Sequence, residues 1–274
     1  MNISVLVVSY NVREHLRRCL VALGADAEII VADNASRDGS AAMVRAEFPR
    51  VQVIDMPGNC GFSAAVNAAA RLATRELLLV LNPDTVVPAT LLARMPAALE
   101  RPGAVAAGFR QVDAAGHFQL SLGPRPSFVL ELARRFVQLR LDAGSRCMRG
   151  VMDRWLATPR RVPWVSGAAL LVRRSAFMAI AGFDERFFLY FEDIDFCLRL
   201  RAAGGEVYYD PTLVLTHLHG ESAATDPGLA ARAYRESQLY FWQKHRGRWA
   251  RQLVYVYLKA KGLAPPPRSL APPP

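Results

Sequence analysis

Hydrophobic positions along the chain follow two rhythms. Short, mostly apolar runs rich in branched residues, Ile3–Val8, Glu28–Ala32, Val51–Asp55 and Leu77–Leu81, alternate with stretches where apolar residues recur every three or four positions, as at Leu16, Cys19, Leu20 and Leu23. The first rhythm predicts strands buried on both faces, and the second predicts helices with one apolar face. Their alternation therefore predicts a parallel sheet joined by right-handed helical crossovers. A further helix is predicted over 64–73, where Asn67 is the only polar interruption of an alanine-rich face and needs a hydrogen-bond partner. Polar residues gather where the apolar runs stop: Ser9, Tyr10 and Asn11 after the first, Asp33 and Asn34 after the second, Asn82-Pro83-Asp84 after the fourth. Ligands of open α/β sheets bind at the carboxyl ends of strands, which makes these residues candidates for a site.

From Val105 the pattern loosens, and 116–163 shows no clear strand alternation, although 128–141 reads as a helix. Order returns at Trp164–Val172, and further strands are predicted at Glu206–Tyr209 and from Val214 through His217 to Gly220. There is no internal repeat. The expected organisation is one α/β domain over 1–222, divided into a ligand-binding half (1–108), a variable or acceptor-side insertion (109–163) and a second half (164–222). A basic, aromatic helical extension follows over 223–263, then a disordered tail over 264–274 with six prolines.

Composition narrows the picture. A chain of 274 residues that is 52% hydrophobic can bury a large core. No apolar run reaches the roughly 18 residues that span a bilayer, and Met1–Ser4 leads straight into a strand without a basic leader, so a cytoplasmic protein is expected. Cys19, Cys60, Cys147 and Cys197 form no C-x-x-C pair and are expected to be packing residues, not a zinc site or disulfides. The net charge of +10 implies an anionic partner. Basic residues interleaved with Tyr240, Phe241, Trp242, Trp249, Tyr255 and Tyr257 read either as a membrane-surface element or as a solvated helix face.

The richest chemistry lies in Phe187–Arg199, where Glu192, Asp193 and Asp195 interrupt an aromatic run. Carboxylates packed against Phe and Tyr lose hydration, which raises their pKa and suits them to proton transfer. The plainer account is a helix start, with acids at the positive end of a helix running toward Ala203 and Gly204 ending it. Asn82-Pro83-Asp84 is likewise either a metal or phosphate site or a simple Pro-Asp turn.

Taken in order, these segments resemble an inverting glycosyltransferase of family 2, and within it the bacterial rhamnosyltransferase-like branch. The resemblance rests on V-S-Y-N (8–11), V-A-D-N-A-S-R-D-G-S (31–40), N-C-G-F-S-A-A-V-N (59–67), L-N-P-D (81–84), V-S-G-A (165–168), G-F-D-E-R-F-F-L-Y-F-E-D-I-D (182–195) and H-L-H-G-E-S (217–222). It implies the GT-A fold, a Rossmann-like α/β nucleotide-diphospho-sugar transferase with a mostly parallel sheet flanked by helices and a C-terminal helical appendage. It also implies an enzyme that moves a sugar, L-rhamnose from dTDP-L-rhamnose by preference, onto a hydroxyl of a saccharide carried on a polyprenyl diphosphate. The expected place of work is the inner face of the cytoplasmic membrane, as a peripheral protein.

By the same resemblance Ser9, Tyr10, Asn11, Asp33, Asn34, Asn67 and Asn82 bind the nucleotide, and Asp84 and His217 bind Mg²⁺ or Mn²⁺. Asp193 is the general base, while Glu192, Trp164 and Gly167 contact donor sugar or acceptor. Asp195 is structural, paired with Arg199, and His219 is expected to be structural too. The family's usual D-x-D metal motif reads Asn82-Pro83-Asp84 here, a form shared within the branch, and its amide cannot supply the first negative charge. The alternatives are the same reaction with UDP-galactofuranose, UDP-glucose or GDP-mannose, or a non-catalytic nucleotide-sugar-binding protein. A nucleic-acid-binding protein would use the +10 charge but leaves the acidic cluster unexplained, so no nucleic acid partner is expected.

Overall fold

The computed structural model describes residues 2–127, 130, 136–137, 139–141, 143–218 and 226–265. Most of the helix expected over 128–141, His219 with the rest of the 217–222 motif, and most of the proline-rich tail lie outside the described residues.

The four apolar runs are strands β1 (Ile3–Ser9), β2 (Glu28–Asp33), β3 (Gln52–Asp55) and β4 (Leu77–Leu81), all parallel, in the order β3-β2-β1-β4. Helices α1 (Arg13–Leu23), α2 (Ser40–Glu47) and α3 (Phe62–Leu72) connect them. Successive side chains of β1 go to opposite layers. Val5 and Val7 pack with Leu16, Leu20 and Leu23 of α1, whereas Leu6 and Val8 pack with Ala65, Val66 and Ala69 of α3. The chain leaves β1 toward β2 on one side and returns from β3 to β4 on the other. This reversal opens a crevice at the carboxyl ends of β1 and β4.

The sheet then continues through β11 (Ala169–Arg173), β6 (Ala104–Val112), β12 (Glu206–His217) and β5 (Thr85–Val86). β6 and β12 are parallel, and β11 runs antiparallel between β4 and β6. Strands β7 (Phe118–Gln119) and β9 (Arg160–Arg161) flank this half, and β8 (Leu122–Gly123) with β10 (Trp164–Val165) forms a separate two-stranded ladder. The remaining helical elements are α4 (Ala89–Leu92), the 3₁₀ turn Met95–Leu99, α5 (Arg146–Trp155), α6 (Arg174–Ala179), α7 (Glu192–Ala202), α8 (Pro227–Arg246) and α9 (Arg248–Ala260).

Three features differ from the sequence expectation. The loosening pattern after Val105 hides β6, a buried central strand, and the expected boundary at 108/109 falls inside it. Its small residues are there because another segment of the chain covers them: a Cβ on Gly108 would lie 2.5 Å from Cβ of Val165. The two strands read at 206–209 and 214–220 are one strand, β12, in which a register shift between Asp210 and Val214 accommodates Pro211. Cys147, expected to pack, is exposed, whereas Cys19 and Cys197 are buried.

The C-terminal helices do not stand apart. Phe241, Trp242, Val254 and Leu258 form a third apolar cluster with Phe187 and Phe191. Lys244 Nζ reaches both Asp184 (2.7 Å) and Asp195 (2.6 Å), His245 Nε2 lies 2.8 Å from Asp195 Oδ1, and Tyr240 donates to Asp184. Burial pushes the Asp184 and Asp195 carboxyls up, but these donors, joined by Arg186 and Arg199, outweigh it and hold both below the usual carboxylate range. Asp195 is structural as expected, and its partner one turn on is Arg199 at 2.8 Å.

Candidate active site

A cleft of about 1000 Å³ opens beside the carboxyl end of β4 and is lined by Asn82, Asp84, Trp164, Gly167, Glu192, Asp193 and His217. These seven residues come from segments as much as 135 positions apart in the sequence. Asp84 and His217 meet because β5 pairs with the end of β12, setting Thr85 opposite His217, and because Leu218 N donates to Asp84 O (2.9 Å). Asp84 Oδ1 stands 3.2 Å from His217 Nε2, with both side chains almost fully buried.

Glu192 and Asp193 open α7. The chain enters this helix through two successive aromatic residues in the left-handed region, Tyr190 (φ 69°) and Phe191 (φ 67°). Such residues cost about 1–3 kcal/mol each and persist only where packing holds them. Here Tyr234 of α8 lies edge-on to both rings, at 5.4 and 5.3 Å, Phe241 packs on Phe191, and Ser237 Oγ donates to Leu189 O. The result turns the two acids into the cleft.

Asp193 accepts from Gly167 N (3.0 Å) and Ile194 N (2.7 Å) while keeping part of its surface open to the cleft. Burial raises its pKa, and these N–H donors work the other way. Glu192 is 6% exposed, and burial followed by the charge of Asp193 raises its pKa well above the ordinary range. The two carboxyls thus separate: Asp193 ionises first, and Glu192 keeps its proton to higher pH. One is suited to take a proton and the other to donate a hydrogen bond.

A raised carboxyl pKa also sets a stability trend. In the window above the unfolded-state value, the folded chain still binds a proton that the unfolded chain has released, so stability falls as pH rises through it. Glu192→Gln should therefore raise the melting temperature by roughly 2–4 °C at neutral pH, for a gain of about 1 kcal/mol. The gain should shrink toward about pH 4, near the ordinary Glu value. Thermal melts at both pH values check this, and equal melting temperatures at neutral pH would contradict it.

The remaining candidates fall into two groups. Ser9 and Asp33 are paired in register at the ends of β1 and β2, beside the cleft and not in its lining. Asp33 Oδ2 accepts from Ser36 N, and Asn11 exchanges hydrogen bonds with the 36–37 turn; Tyr10 is half-buried next to it. Asn34 and Asn67, also expected to contact the nucleotide, are held by the chain at both ends of each amide. Asn34 donates to Gly61 O and accepts from Cys60 N, while Asn67 donates to Phe183 O and Glu185 and accepts from Phe183 N. They tie the 59–62 and 182–185 loops together behind the site. Gly61 has no room for a side chain there: a Cβ would lie 2.6 Å from Phe188 O. Trp164 lines the cleft but is 8% exposed and donates Nε1 to Pro124 O, so it forms backing more than an open wall. Gly167 serves Asp193 directly through its N–H.

Among the described residues no three His, Cys, Asp or Glu side chains cluster as a closed metal cage. The donor set at Asp84 and His217, one carboxylate and one imidazole, fits a divalent cation whose coordination a substrate's phosphates complete.

The mostly parallel α/β sheet, with Asp84 and His217 at its strand ends and Glu192 and Asp193 at the start of α7, has the GT-A fold. The sequence model described as Glycosyl transferase family 2 matches residues 4–180, and the chain belongs to that family, in its rhamnosyltransferase-like branch. It is similar to the N-acetylglucosaminyl-diphospho-decaprenol L-rhamnosyltransferase of Mycobacterium tuberculosis (strain ATCC 25618 / H37Rv), 31% identical over 92% of this chain and 88% of that protein. It is also similar to rhamnosyltransferase WbbL of Escherichia coli (strain K12), 46% identical over 20% of this chain and 21% of that one. In fold it matches the mannosyltransferase PcManGT from Pyrobaculum calidifontis, solved with GDP-Man and Mn²⁺, at a TM-score of 0.56 and 17% identity over 94% of this chain and 80% of that one. The chain is a glycosyltransferase.

Proposed function

We propose that this enzyme transfers L-rhamnose from dTDP-L-rhamnose to a hydroxyl of N-acetylglucosamine carried on a polyprenyl diphosphate, with inversion at the anomeric carbon. The observation that carries the reading is that Asp193, partly open and raised in pKa, lines the same cleft as the Asp84–His217 pair. The Mycobacterium relative supports the choice of sugar and acceptor.

In the proposed step the acceptor oxygen forms a bond to the anomeric carbon as its proton passes to a carboxylate oxygen of Asp193. The bond from the anomeric carbon to the diphosphate oxygen breaks, and its electron pair leaves with dTDP. Gly167 N–H and Ile194 N–H hold Asp193 at the correct angle, and protonated Glu192 donates a hydrogen bond to donor sugar or acceptor. Ser9, Tyr10, Asn11, Asp33 and Asn82 hold the nucleoside diphosphate, with Asp33 accepting from the pyrimidine imide. Asp84 and His217 would hold Mg²⁺ or Mn²⁺, which supplies charge neutralisation at the leaving diphosphate.

A lipid-linked acceptor requires contact with a membrane. No helix among the described residues is long and apolar enough to cross one. However, α9 exposes Trp249 (86%), Leu253 (62%) and Val256 (55%) on one stripe, and residues 248–261 carry Arg248, Arg251, Lys259 and Lys261 with no acid. These features support a reading in which α9 lies in the headgroup plane of an anionic leaflet, at the inner face of the cytoplasmic membrane.

The test is conversion of an N-acetylglucosaminyl-diphospho-lipid in vesicles, with Mn²⁺ and each of dTDP-rhamnose, UDP-galactofuranose, UDP-glucose and GDP-mannose. Rhamnosylated product, formed faster on anionic than on zwitterionic vesicles, is the expected result. Turnover only with a UDP- or GDP-sugar would overturn the donor, and indifference to lipid charge would overturn the role of α9.

A further inference from the structure

Gln119 does not belong to any motif, yet it makes two contacts to one residue of the cleft. At the end of β7, beside Gln111 of β6, it donates from Nε2 to the main-chain oxygen of His217 (2.9 Å) and places Oε1 2.8 Å from His217 Nδ1. A main-chain carbonyl cannot donate, so the first contact fixes which end of the amide is nitrogen. The second then joins an amide oxygen to a ring nitrogen, and two acceptors do not bond. Nδ1 must carry the hydrogen.

We propose that Gln119 is a positioning residue that locks His217 in the Nδ1–H tautomer, so that Nε2 presents its lone pair toward Asp84. In the neutral ring this sets a lone pair 3.2 Å from a carboxylate oxygen, an arrangement of two acceptors that a cation between them resolves. The cleft is thereby prepared for a cation before any substrate arrives. The inference deepens the proposed function, since the cation belongs to that reading, but the tautomer exists without it.

The experiment is long-range ¹H–¹⁵N NMR of the metal-free, ¹⁵N-histidine-labelled protein, with the His217 signals assigned by their loss in His217→Gln. Wild type should show Nδ1 protonated and Nε2 bare. Gln119→Leu should redistribute the proton toward Nε2, whereas Gln119→Glu, which keeps an acceptor facing Nδ1, should keep the hydrogen on Nδ1. In parallel, electron paramagnetic resonance of Mn²⁺ with dTDP should show binding weakened about 10–100-fold in Gln119→Leu. A wild-type ring protonated on Nε2, or a tautomer unchanged in Gln119→Leu, overturns the inference. The expected tautomers combined with no Mn²⁺ binding by wild type would uphold the role of Gln119 and overturn the metal assignment instead. The wild-type spectrum alone is decisive should Gln119→Leu fail to fold.

Discussion

Asp193→Asn should lower turnover by about 10²–10⁴-fold, the usual contribution of a general base, while leaving dTDP binding unchanged. The amide keeps the shape of the carboxylate but cannot take a proton, and its NH₂ group has to face one of two N–H donors, Gly167 or Ile194. That mismatch costs stability, but the variant also loses a charge that burial disfavours. The pH profile gives a second handle. Because burial raises the Asp193 pKa, the acid limb of kcat/KM should lie above the ordinary aspartate range, with activity lost as pH falls through it. Asp193 and Glu192 interact strongly enough that the limb reports the pair. Initial rates across pH, alongside dTDP titration by calorimetry, check both parts. An Asp193→Asn enzyme that turns over at the wild-type rate would remove Asp193 from the chemistry.

Asp84→Asn should be nearly as damaging. Position 82 is already an amide, so this change leaves the Asn82-Pro83-Asp84 segment with no acid and His217 as the only described donor opposite. The charge neutralisation expected of a cation on the diphosphate amounts to several kcal/mol, so the loss should be about three orders of magnitude in kcat/KM. It should appear as a failure of Mn²⁺ to stimulate at concentrations that saturate wild type, with the Asp193 acid limb unmoved. If Asp84→Asn retains Mn²⁺-dependent turnover at the wild-type metal affinity, the cation is held elsewhere.

The half built on β1–β4 was the most legible part of the chain, because β1, β2 and β4 are buried on both faces and their sequences are almost continuously apolar. β6 was not legible: Ala and Gly carry little strand signal, and their reason for being there, Val165 lying on Gly108, is a contact between segments far apart in sequence. Asp84, Glu192, Asp193 and His217 stood out as acids and an imidazole set in or after apolar or aromatic runs, and the structure brings them into one cleft. Asn34 and Asn67 carried the same polar-in-apolar signal, and the loops that their amides hold are contacts only the structure reveals. Gln119 gave no signal at all, since a lone glutamine in an irregular stretch is ordinary until its backbone places it against His217. The helical nature of 227–260 could be read from sequence, but its packing around Tyr190 and Phe191 could not, because neither aromatic announces a left-handed backbone.

The bridge from Lys244 to Asp184 and Asp195 bears on how the molecule is made. A growing polypeptide completes β1–β4 early and could fold that half while synthesis continues. The acids at the head of α7 also emerge well before the end of translation, yet Tyr234, Phe241, Lys244 and His245, which hold that helix entrance in place, are supplied some forty to fifty residues later. A nascent chain can therefore complete the β1–β4 half before the entrance to α7 is held in place.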